Sequence, residues 1–584
     1  MYLPFFSLSL RTAKKRDMNR KEKLSEILWP LATVVAISII VCLSAIYRLG
    51  FKEQTGIFLW TPERIDWYLS NPAVLSVIAG DWITQFFSSG FLATFAVTVL
   101  MIALFFGLVG VESRLGRAGG YFLPVIPVFL ELSFLKCLNY PVAQSIGLAV
   151  TVWTIYGLSF IRNDKVRCAA FAGSVPVLFV LAGSYAYLPA LVLCISDRKK
   201  PLRGVSLALA GLLAMVLLGR MYNLTLGQTL MAPVIAGLFN PAGWFFVLQT
   251  VLILCCVTVP DRGRWPLLIT LPVLFLEYTF LSDRSLESIV QAGTYAYEER
   301  WDNVRAICEE KVDKVPDLIF FRNLSYAIEG RLADELLHCR QNFKPDVLFM
   351  TTGRGDSYLS SMFNVDMLLE VGDLSQATDC ALLAETVLPG YYSTRMLHKL
   401  AEISMIAGDY TVADKYLELL SRTWGHRAWA ADMRECIAND SLPLDYMILR
   451  SRSSDYDVMF HQGDMRTSLR LLANAHPDNK VAIDYLLCSY LLDKNLNTFI
   501  GLYDRYYLNR FDQVMDVPEL YQEALLVNVT SDESLSETVE KYGLSESVVS
   551  RFMDLMEARA QGSITRESLD TYWYYIMSTN LSKE

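Results

Sequence analysis

The stretch ILWPLATVVAISIIVCLSAIYRL, residues 27–49, decides the fold class of this chain. It is long enough to cross the hydrocarbon core of a bilayer as one helix, because about 20 helical residues suffice. A basic segment, residues 1–25, precedes it, and because positively charged flanks are retained in the cytoplasm, we expect the N-terminus to lie there. The chain is therefore predicted to be an integral membrane protein.

Further apolar runs follow the first one as far as residue 282, at 90–110, 120–138, 142–161, 168–195, 205–222, 243–259 and 265–282. The run 168–195 has a basic segment on each side, so both of its ends are expected in the cytoplasm. It is short for two full spans, which predicts a tight or re-entrant hairpin broken near Gly183 and Pro189. A single long tilted helix is the alternative, and it would place one basic loop outside. If the hairpin counts as two crossings, residues 26–282 are predicted to cross the membrane about nine times.

The first loop outside the cytoplasm, residues 50–89, is long for a connector. Within it Val74, Ile78, Trp82 and Phe86 recur every four residues, which is the spacing of one apolar helical face. Such a face, rich in aromatic side chains, is typical of a helix that lies in the membrane interface.

Three polar residues stand out within or at the ends of the apolar runs: Glu131, Glu277 and Arg220. Because burying a charge in a bilayer is costly, each is a candidate for a functional role. The simpler interpretations are that Glu131 pairs with Lys136 and that Glu277 and Arg220 reach the headgroups.

The second part of the chain, residues 283–584, is acidic, with 48 acidic and 29 basic residues. Residues 1–282 are basic, with 13 acidic and 23 basic residues. An acidic domain argues against nucleic-acid binding, which rests on lysine and arginine neutralising phosphates. The sequence holds no phosphate-binding loop, nucleophile elbow or zinc-binding H-E-x-x-H motif, and no cofactor is predicted. If the membrane part crosses nine times, this domain lies in the periplasm.

Residues 283–584 also contain a degenerate repeat, in which a small turn joins two amphipathic segments. The turn positions are Gly330, Gly372, Gly408 and Gly463, and Lys494 takes the equivalent place in a further unit without glycine. A glycine after a helix permits the positive φ of a helix cap. The pattern resembles the tetratricopeptide repeat, an all-α architecture of stacked helix pairs. That resemblance implies binding of envelope proteins or peptides.

Two wider resemblances concern the whole chain. The stretches FLWTPERIDWYL and DWITQFF in the loop 50–89, and YAYEERWDNV, EGRLADELL and AGDYTVADKYLELL after residue 283, resemble a family of multi-pass membrane proteins of Bacteroidota-type bacteria. The likeness covers most of the chain and implies no particular activity. It implies that the chain lies in the inner membrane of a bacterium, with residues 283–584 in the periplasm.

The arrangement of a long outside loop, many spans and an outside helical domain is similar to that of the GT-C glycosyltransferases. This resemblance implies a polyprenyl-phosphate-linked sugar donor and an acidic residue of the first outside loop as base or metal ligand. Here the candidates are Glu63, Asp66 and Asp81, with Glu53 nearby, and a divalent cation would accompany them.

Two hypotheses therefore remain for the function. The first is a membrane-anchored scaffold or assembly factor that presents residues 283–584 to envelope proteins. The second is an enzyme of GT-C type. They differ in one feature, because only the enzyme needs the loop carboxylates to converge on a polar pocket.

Overall fold

The computed structural model describes residues 27–44, 46–115, 122–138, 140–197, 200–232, 243–258, 284–339, 345–350, 357–388, 392–453, 465–508, 510–512, 516–529, 531–560 and 571–578. All regular elements among these residues are helices. The chain divides into two compact units. Unit 1 comprises Met1–Arg284 and Arg422–Arg427, and unit 2 comprises Ser285–Ser421 and Ala428–Glu584.

The described helices of unit 1 are α1 (Ile27–Ser44), α2 (Ile46–Gln54), α3 (Pro62–Leu69), α4 (Val74–Thr84), α5 (Gly90–Leu115), α6 (Val125–Lys136), α7 (Val142–Leu158), α8 (Asp164–Leu181), α9 (Leu188–Ser196), α10 (Pro201–Met221), α11 (Leu226–Met231) and α12 (Gly243–Thr258). Every residue of α6 from Val125 to Leu135 is buried, so this helix forms the centre of unit 1.

Three of these helices, α1, α5 and α10, are long and apolar enough to cross a membrane. The helices in the other predicted runs that the structure describes are shorter than those runs. Pro124 lies inside the run 120–138, directly before α6, which has 12 residues. Proline is well tolerated at a helix start and poorly inside, so it sets this start. Helix α7 begins with the run 142–161, directly after Pro141, and ends at Leu158. The run 265–282 lies outside the described residues.

The run 168–195 reverses direction, as the hairpin prediction requires. Helix α8 ends at Leu181, and Gly183 then adopts a φ of 100°, a conformation that glycine reaches without steric cost. The chain returns as α9, and Cys168 Sγ near the start of α8 lies 3.7 Å from Asp197 Oδ2 just after α9. With nine residues, α9 is half as long as α8, so the two arms are unequal.

Helix α10 has two contrasting faces. Gly204, Ala208, Gly211, Met215 and Gly219 are buried on its inner face. On the other face Leu209, Leu213 and Leu217 are each about 60 % exposed. Small residues at the packed face and large apolar residues at the exposed face are the pattern of a helix that packs closely within a membrane bundle.

Of the apolar face predicted in the loop 50–89, Val74, Ile78 and Trp82 lie on α4, and Phe86 lies in the short 3₁₀ helix Gln85–Ser88 that follows it. Helix α4 begins after Ala73, which has a φ of 66°, and therefore starts just after the Asn71–Pro72 turn. Gly80 lies so close to α7 that a Cβ there would stand 2.7 Å from the backbone nitrogen of Ala143. Trp82 on the same helix is half exposed.

The described helices of unit 2 are α13 (Arg284–Tyr297), α14 (Trp301–Lys311), α15 (Leu318–Ile328), α16 (Leu332–Glu335), α17 (Ser357–Val371), α18 (Leu374–Val387), α19 (Thr394–Ala407), α20 (Tyr410–Ser421), α21 (Arg427–Ala438), α22 (Leu444–Arg452), α23 (Met465–Ala475), α24 (Lys480–Leu492), α25 (Leu496–Tyr506), α26 (Glu519–Leu526), α27 (Asp532–Tyr542), α28 (Glu546–Ala560) and α29 (Tyr572–Ser578). Consecutive helices pack as pairs, most extensively α17 with α18 and α19 with α20.

The turns within these pairs share one backbone feature. Gly330, Gly372 and Gly408 have φ values of 73°, 87° and 84°, which confirms the predicted helix caps. Lys494, the predicted substitute for glycine, has a φ of 58°. Gly463 lies outside the described residues.

Two further turns take the same left-handed conformation without glycine, and the sequence pattern did not reveal them. Glu299 between α13 and α14 has a φ of 56°, and Asp440 between α21 and α22 has a φ of 50°. Asp is among the residues that tolerate this region, whereas Glu pays a larger steric cost.

Candidate functional site

The loop carboxylates fall into two groups. Glu63 and Asp66 are exposed on α3. Asp81 on α4 accepts a hydrogen bond from the Tyr68 hydroxyl at 2.8 Å and one from Arg64 Nη2 at 3.3 Å. The structure thus brings Asp81 together with Arg64 and Tyr68, while Glu63 and Asp66 point to the surface.

Glu53 occupies a different position. It is buried at the end of α2, and its Oε1 lies 3.0 Å from Nε2 of His426, within the segment 422–427 that belongs to unit 1. The neighbouring Trp424 packs its ring on Phe86, with 5.4 Å between the centroids. Among the described residues, no group of three or more histidine, cysteine, aspartate or glutamate side chains is arranged to hold a metal ion.

Glu131 is completely buried in α6 and makes three hydrogen bonds. Its Oε1 accepts from the Tyr140 hydroxyl at 2.7 Å and from the Ser145 hydroxyl at 2.6 Å, and its Oε2 accepts from Gln249 Nε2 at 3.1 Å. Gln249 Nε2 also donates to the Pro127 carbonyl oxygen at 2.9 Å, which fixes the orientation of the amide. The predicted pairing with Lys136 is replaced by three neutral donors.

A second buried polar residue of unit 1 lies close to this cluster. Lys52 Nζ donates to the carbonyl oxygens of Cys137, Leu138 and Tyr140, at 2.6, 3.1 and 2.6 Å. The ammonium group therefore caps the chain just beyond the C-terminus of α6, where carbonyl groups lack helical partners. Lys52 could not be singled out from the sequence, because a single lysine beside a membrane span is common.

Arg220 lies in the last turn of α10 with an exposed side chain, as the headgroup interpretation expects. Glu277 lies outside the described residues.

A cavity with a charged lining lies entirely within unit 2 and has a volume of about 410 Å³. We call it the groove. It is lined by α13, α15, α17 and α19, the first helices of successive pairs, together with the turn after α13, the start of α14 and one side of α22. The lining residues are Ala296, Glu299, Trp301, Ile328, Asp366, Leu369, Glu370, Lys399, Glu402, Ile406, Asp445, Tyr446, Ile448, Leu449 and Arg452. Its volume falls within the range of about 300–1,000 Å³ that is typical of ligand pockets.

The floor of the groove is an ion-pair network. Lys399 Nζ lies 3.2 Å from Asp366 Oδ1 and 2.9 Å from Glu402 Oε2. Beneath it Arg395, fully buried, donates from Nη2 to Asp366 Oδ2 at 2.7 Å. The Tyr446 hydroxyl donates to Glu402 Oε1 at 2.9 Å, which ties α22 to α19.

Arg395 holds several elements together at once. Its Nη1 donates to the Gly293 carbonyl oxygen of α13 at 3.0 Å, and its guanidinium lies over the rings of Tyr297 and Phe363. The fork geometry of arginine suits such multiple contacts better than the point charge of lysine. The helices that form the floor are therefore tied together by one side chain.

The network determines the protonation states of the floor. Burial alone would raise the pKa of Glu402, but the charge of Lys399 and the hydrogen bonds from Lys399 and Tyr446 outweigh it, so this pKa lies below its usual value. Burial would lower the pKa of Lys399, but the charges of Glu402 and Asp366 raise it above its usual value. Both side chains are therefore charged at neutral pH.

Sequence reasoning missed the groove, although one signal was available. Arg395, Lys399 and Glu402 follow one another at intervals of four and three residues, so they share one face of α19. A charged stripe on a helix whose other positions are apolar can mark a lined cavity. The same stripe is equally typical of a solvated surface, and only the packing of α17 and α22 distinguishes the two.

Comparison with known proteins adds the family of the chain. No curated protein and no solved structure matches it. A family model does match, over residues 21–579, and so includes most of both units. The chain belongs to that family, the family of unknown function DUF6057.

Proposed function

We propose that this protein is a membrane-anchored scaffold that holds a segment of a partner protein in the groove of unit 2. The observation that carries the proposal is the groove itself, a cavity built from the first helices of successive helix pairs. Stacked helix pairs form extended concave surfaces, and such surfaces commonly bind peptides and proteins. The tetratricopeptide-like pattern at Gly330, Gly372 and Gly408 supports the same conclusion.

The rigidity of the floor also favours binding over catalysis. Lys399, Glu402 and Asp366 satisfy one another, which leaves none of them poised as a base or nucleophile. A preformed and internally neutralised floor does not need to reorganise when a partner binds, so less binding energy is lost to ordering.

We place unit 2 in the periplasm, after about nine crossings of the inner membrane, and the partner among proteins of the envelope. The basic loops between the apolar runs support this topology, because they all fall on the side of the N-terminus when the run 168–195 is counted as a hairpin. The proximity of Cys168 and Asp197 supports the hairpin.

Alkaline phosphatase fused after residue 290 tests the topology, because this enzyme needs disulfide bonds that form only outside the cytoplasm. We expect an active fusion. An inactive fusion, with activity instead from a cytoplasmic reporter at the same position, would contradict the placement of unit 2.

Photo-crosslinking from the groove tests the scaffold. A photoreactive amino acid replaces Ile448, which lines the groove, or the adjacent Met447, which is exposed on the same helix but does not line it. In native membranes we expect a crosslinked partner from position 448 and not from 447. The identified partner, purified, should then form a stoichiometric complex with the full-length protein. Equal crosslinking from both positions, or no complex, would contradict the proposal.

A second candidate function, a glycosyltransferase of GT-C type, is favoured by one observation in unit 1. Asp81 is held beside Arg64, and a guanidinium next to a carboxylate combines a base or metal ligand with a phosphate-binding group. The test is turnover of a polyprenyl-phosphate sugar by the purified protein. Activity lost in Asp81→Asn and retained in Asp66→Asn would support the enzyme, and no turnover by the unaltered protein would contradict it.

A further inference from the structure

The charges of the groove are distributed unevenly between floor and mouth. In the floor, the cations Arg395, Lys399 and Arg452 face the anions Asp366, Glu402 and Glu370 at distances of 2.7–3.2 Å. Three positive and three negative groups cancel. An incoming charged group therefore finds no uncompensated partner in the floor.

The mouth carries two further acids, Glu299 and Asp445. Both side chains are exposed, and among the described residues neither forms an ion pair. Glu299 is fixed in position by the left-handed turn between α13 and α14, and Asp445 by the first turn of α22. The mouth therefore carries two negative charges, and the floor beneath it is neutral.

Apolar side chains also line the groove, namely Trp301, Ile328, Leu369, Ile406 and Ile448. Ile406 and Leu369 are almost completely buried, whereas Ile448 is 41 % exposed. A side chain that enters must therefore have an apolar stem.

Lysine and arginine combine the two required properties. Their methylene stems pack on apolar surface while the charged end reaches a polar group, and the Trp301 ring adds a face on which a cation can lie. A carboxylate or phosphate would meet the two acids of the mouth and be repelled. Partner segments rich in aspartate or glutamate are therefore disfavoured.

We propose that the groove selects its partner by a lysine or arginine side chain, whose stem packs between Ile406 and Ile448 and whose charge is held by Glu299 and Asp445. This inference rests on the proposed function of unit 2 as a protein-binding surface. It adds the chemistry of the partner, a basic segment, which nothing in the family description supplies.

The test uses the full-length protein in nanodiscs of neutral phosphatidylcholine. The probes are two fluorescent peptides of equal length, one alternating alanine with lysine and one alternating alanine with glutamate, and empty nanodiscs give the background. Fluorescence anisotropy should show binding of the lysine peptide only. Glu299→Gln and Asp445→Asn should each weaken it about threefold and together about tenfold, because exposed charge pairs contribute modestly.

The salt dependence and a matched control sharpen the result. The double variant should lose much of the salt dependence of binding, since rim charges act through screened electrostatics. Glu310→Gln removes an exposed acid of α14 that does not line the groove, and it should leave binding unchanged.

Two outcomes would overturn the inference, and they differ in what they say about the proposed function. If Ile448→Trp, which fills the mouth, abolishes binding but the double charge variant does not, the groove binds peptides without selecting a cation. If the lysine peptide does not bind, or binds equally well to Ile448→Trp, both the inference and the groove as a binding site fail.

Discussion

Glu131 shows how one buried residue can organise the helices of unit 1. Tyr140, Ser145 and Gln249 all donate to its carboxyl group, and all four side chains are fully buried. Three donors from the chain after α6, from α7 and from α12 therefore depend on one acceptor. Glu131 could be singled out from the sequence, because an acid inside an apolar run is rare. Its partners could not, since they lie 9, 14 and 118 residues away.

We predict that Glu131→Ala destabilises the protein more than Glu131→Gln. Alanine removes the acceptor of three buried hydrogen bonds, at a cost of about 1–3 kcal/mol each, whereas glutamine keeps the oxygen that Tyr140 and Ser145 share. Thermal unfolding of the purified protein in detergent measures the difference, with Glu63→Gln, an exposed site, as the control. Equal melting temperatures for the alanine and glutamine variants would refute the role assigned to the cluster.

Glu385 in unit 2 is buried in another way. It lies on α18, is 8 % exposed, and accepts one hydrogen bond, from the Ser393 amide at 3.5 Å. Burial raises its pKa from 4.5 to about 7, and that single amide hydrogen bond opposes the shift only weakly. Tyr416 of α20 is the titratable group that faces it.

The sign of the resulting pH dependence follows from proton binding. Between pH 4.5 and about 7 the folded protein keeps the proton of Glu385 and the unfolded chain has lost it, so the free energy of unfolding falls as the pH rises through this range. The fall amounts to at most about 3 kcal/mol. Glu385→Gln should remove it, so that the variant unfolds at a higher temperature than the unaltered protein at pH 8 but not at pH 4.5. Identical pH profiles of melting temperature would be inconsistent with a buried acid here.

At the scale of elements, the turns between paired helices were predictable and the helix lengths in unit 1 were not. A glycine before an amphipathic segment predicts a helix cap, and Gly330, Gly372 and Gly408 have the expected positive φ. Apolar runs in unit 1 indicate membrane helices, but α6 starts only after Pro124, inside the run 120–138, and α7 ends at Leu158, before the run 142–161 ends. An apolar run shows which part of the chain is hydrophobic, whereas the length of a helix depends on where the backbone leaves the helical conformation.

Two glycines of unit 2 provide a matched test of the turn. Gly408 has a φ of 84°, with nothing closer than 3.9 Å to an added Cβ, so Gly408→Ala should cost about 1–2 kcal/mol through backbone strain alone. Gly501 lies inside α25 with open space around it, so Gly501→Ala should instead stabilise by about 0.5–1 kcal/mol. Chemical denaturation of the full-length protein reports both values. A loss of stability at Gly501 as large as that at Gly408 would show that the positive φ of Gly408 does not decide the outcome.

The whole molecule combines a unit with three helices that are long and apolar enough to cross a membrane and a unit of stacked helix pairs, and we seek its function in the second. The groove could not be predicted from the sequence, because its lining comes from separate helices between Ala296 and Arg452. Each contributing residue has an ordinary local explanation, as a cap, a salt bridge or a core position. Only the stacking of α13, α15, α17 and α19 under α22 brings them to one cavity.

The affinity of the crosslinked partner for two tryptophan variants tests the central claim most directly. Ile448→Trp fills the mouth of the groove, and Met447→Trp adds the same side chain next to it, on a part of α22 that does not line the groove. If the groove is the binding site, Ile448→Trp should weaken partner binding at least tenfold while Met447→Trp leaves it within about twofold, a difference of about 1 kcal/mol or more. Equal affinities for the two variants and the unaltered protein would contradict the account.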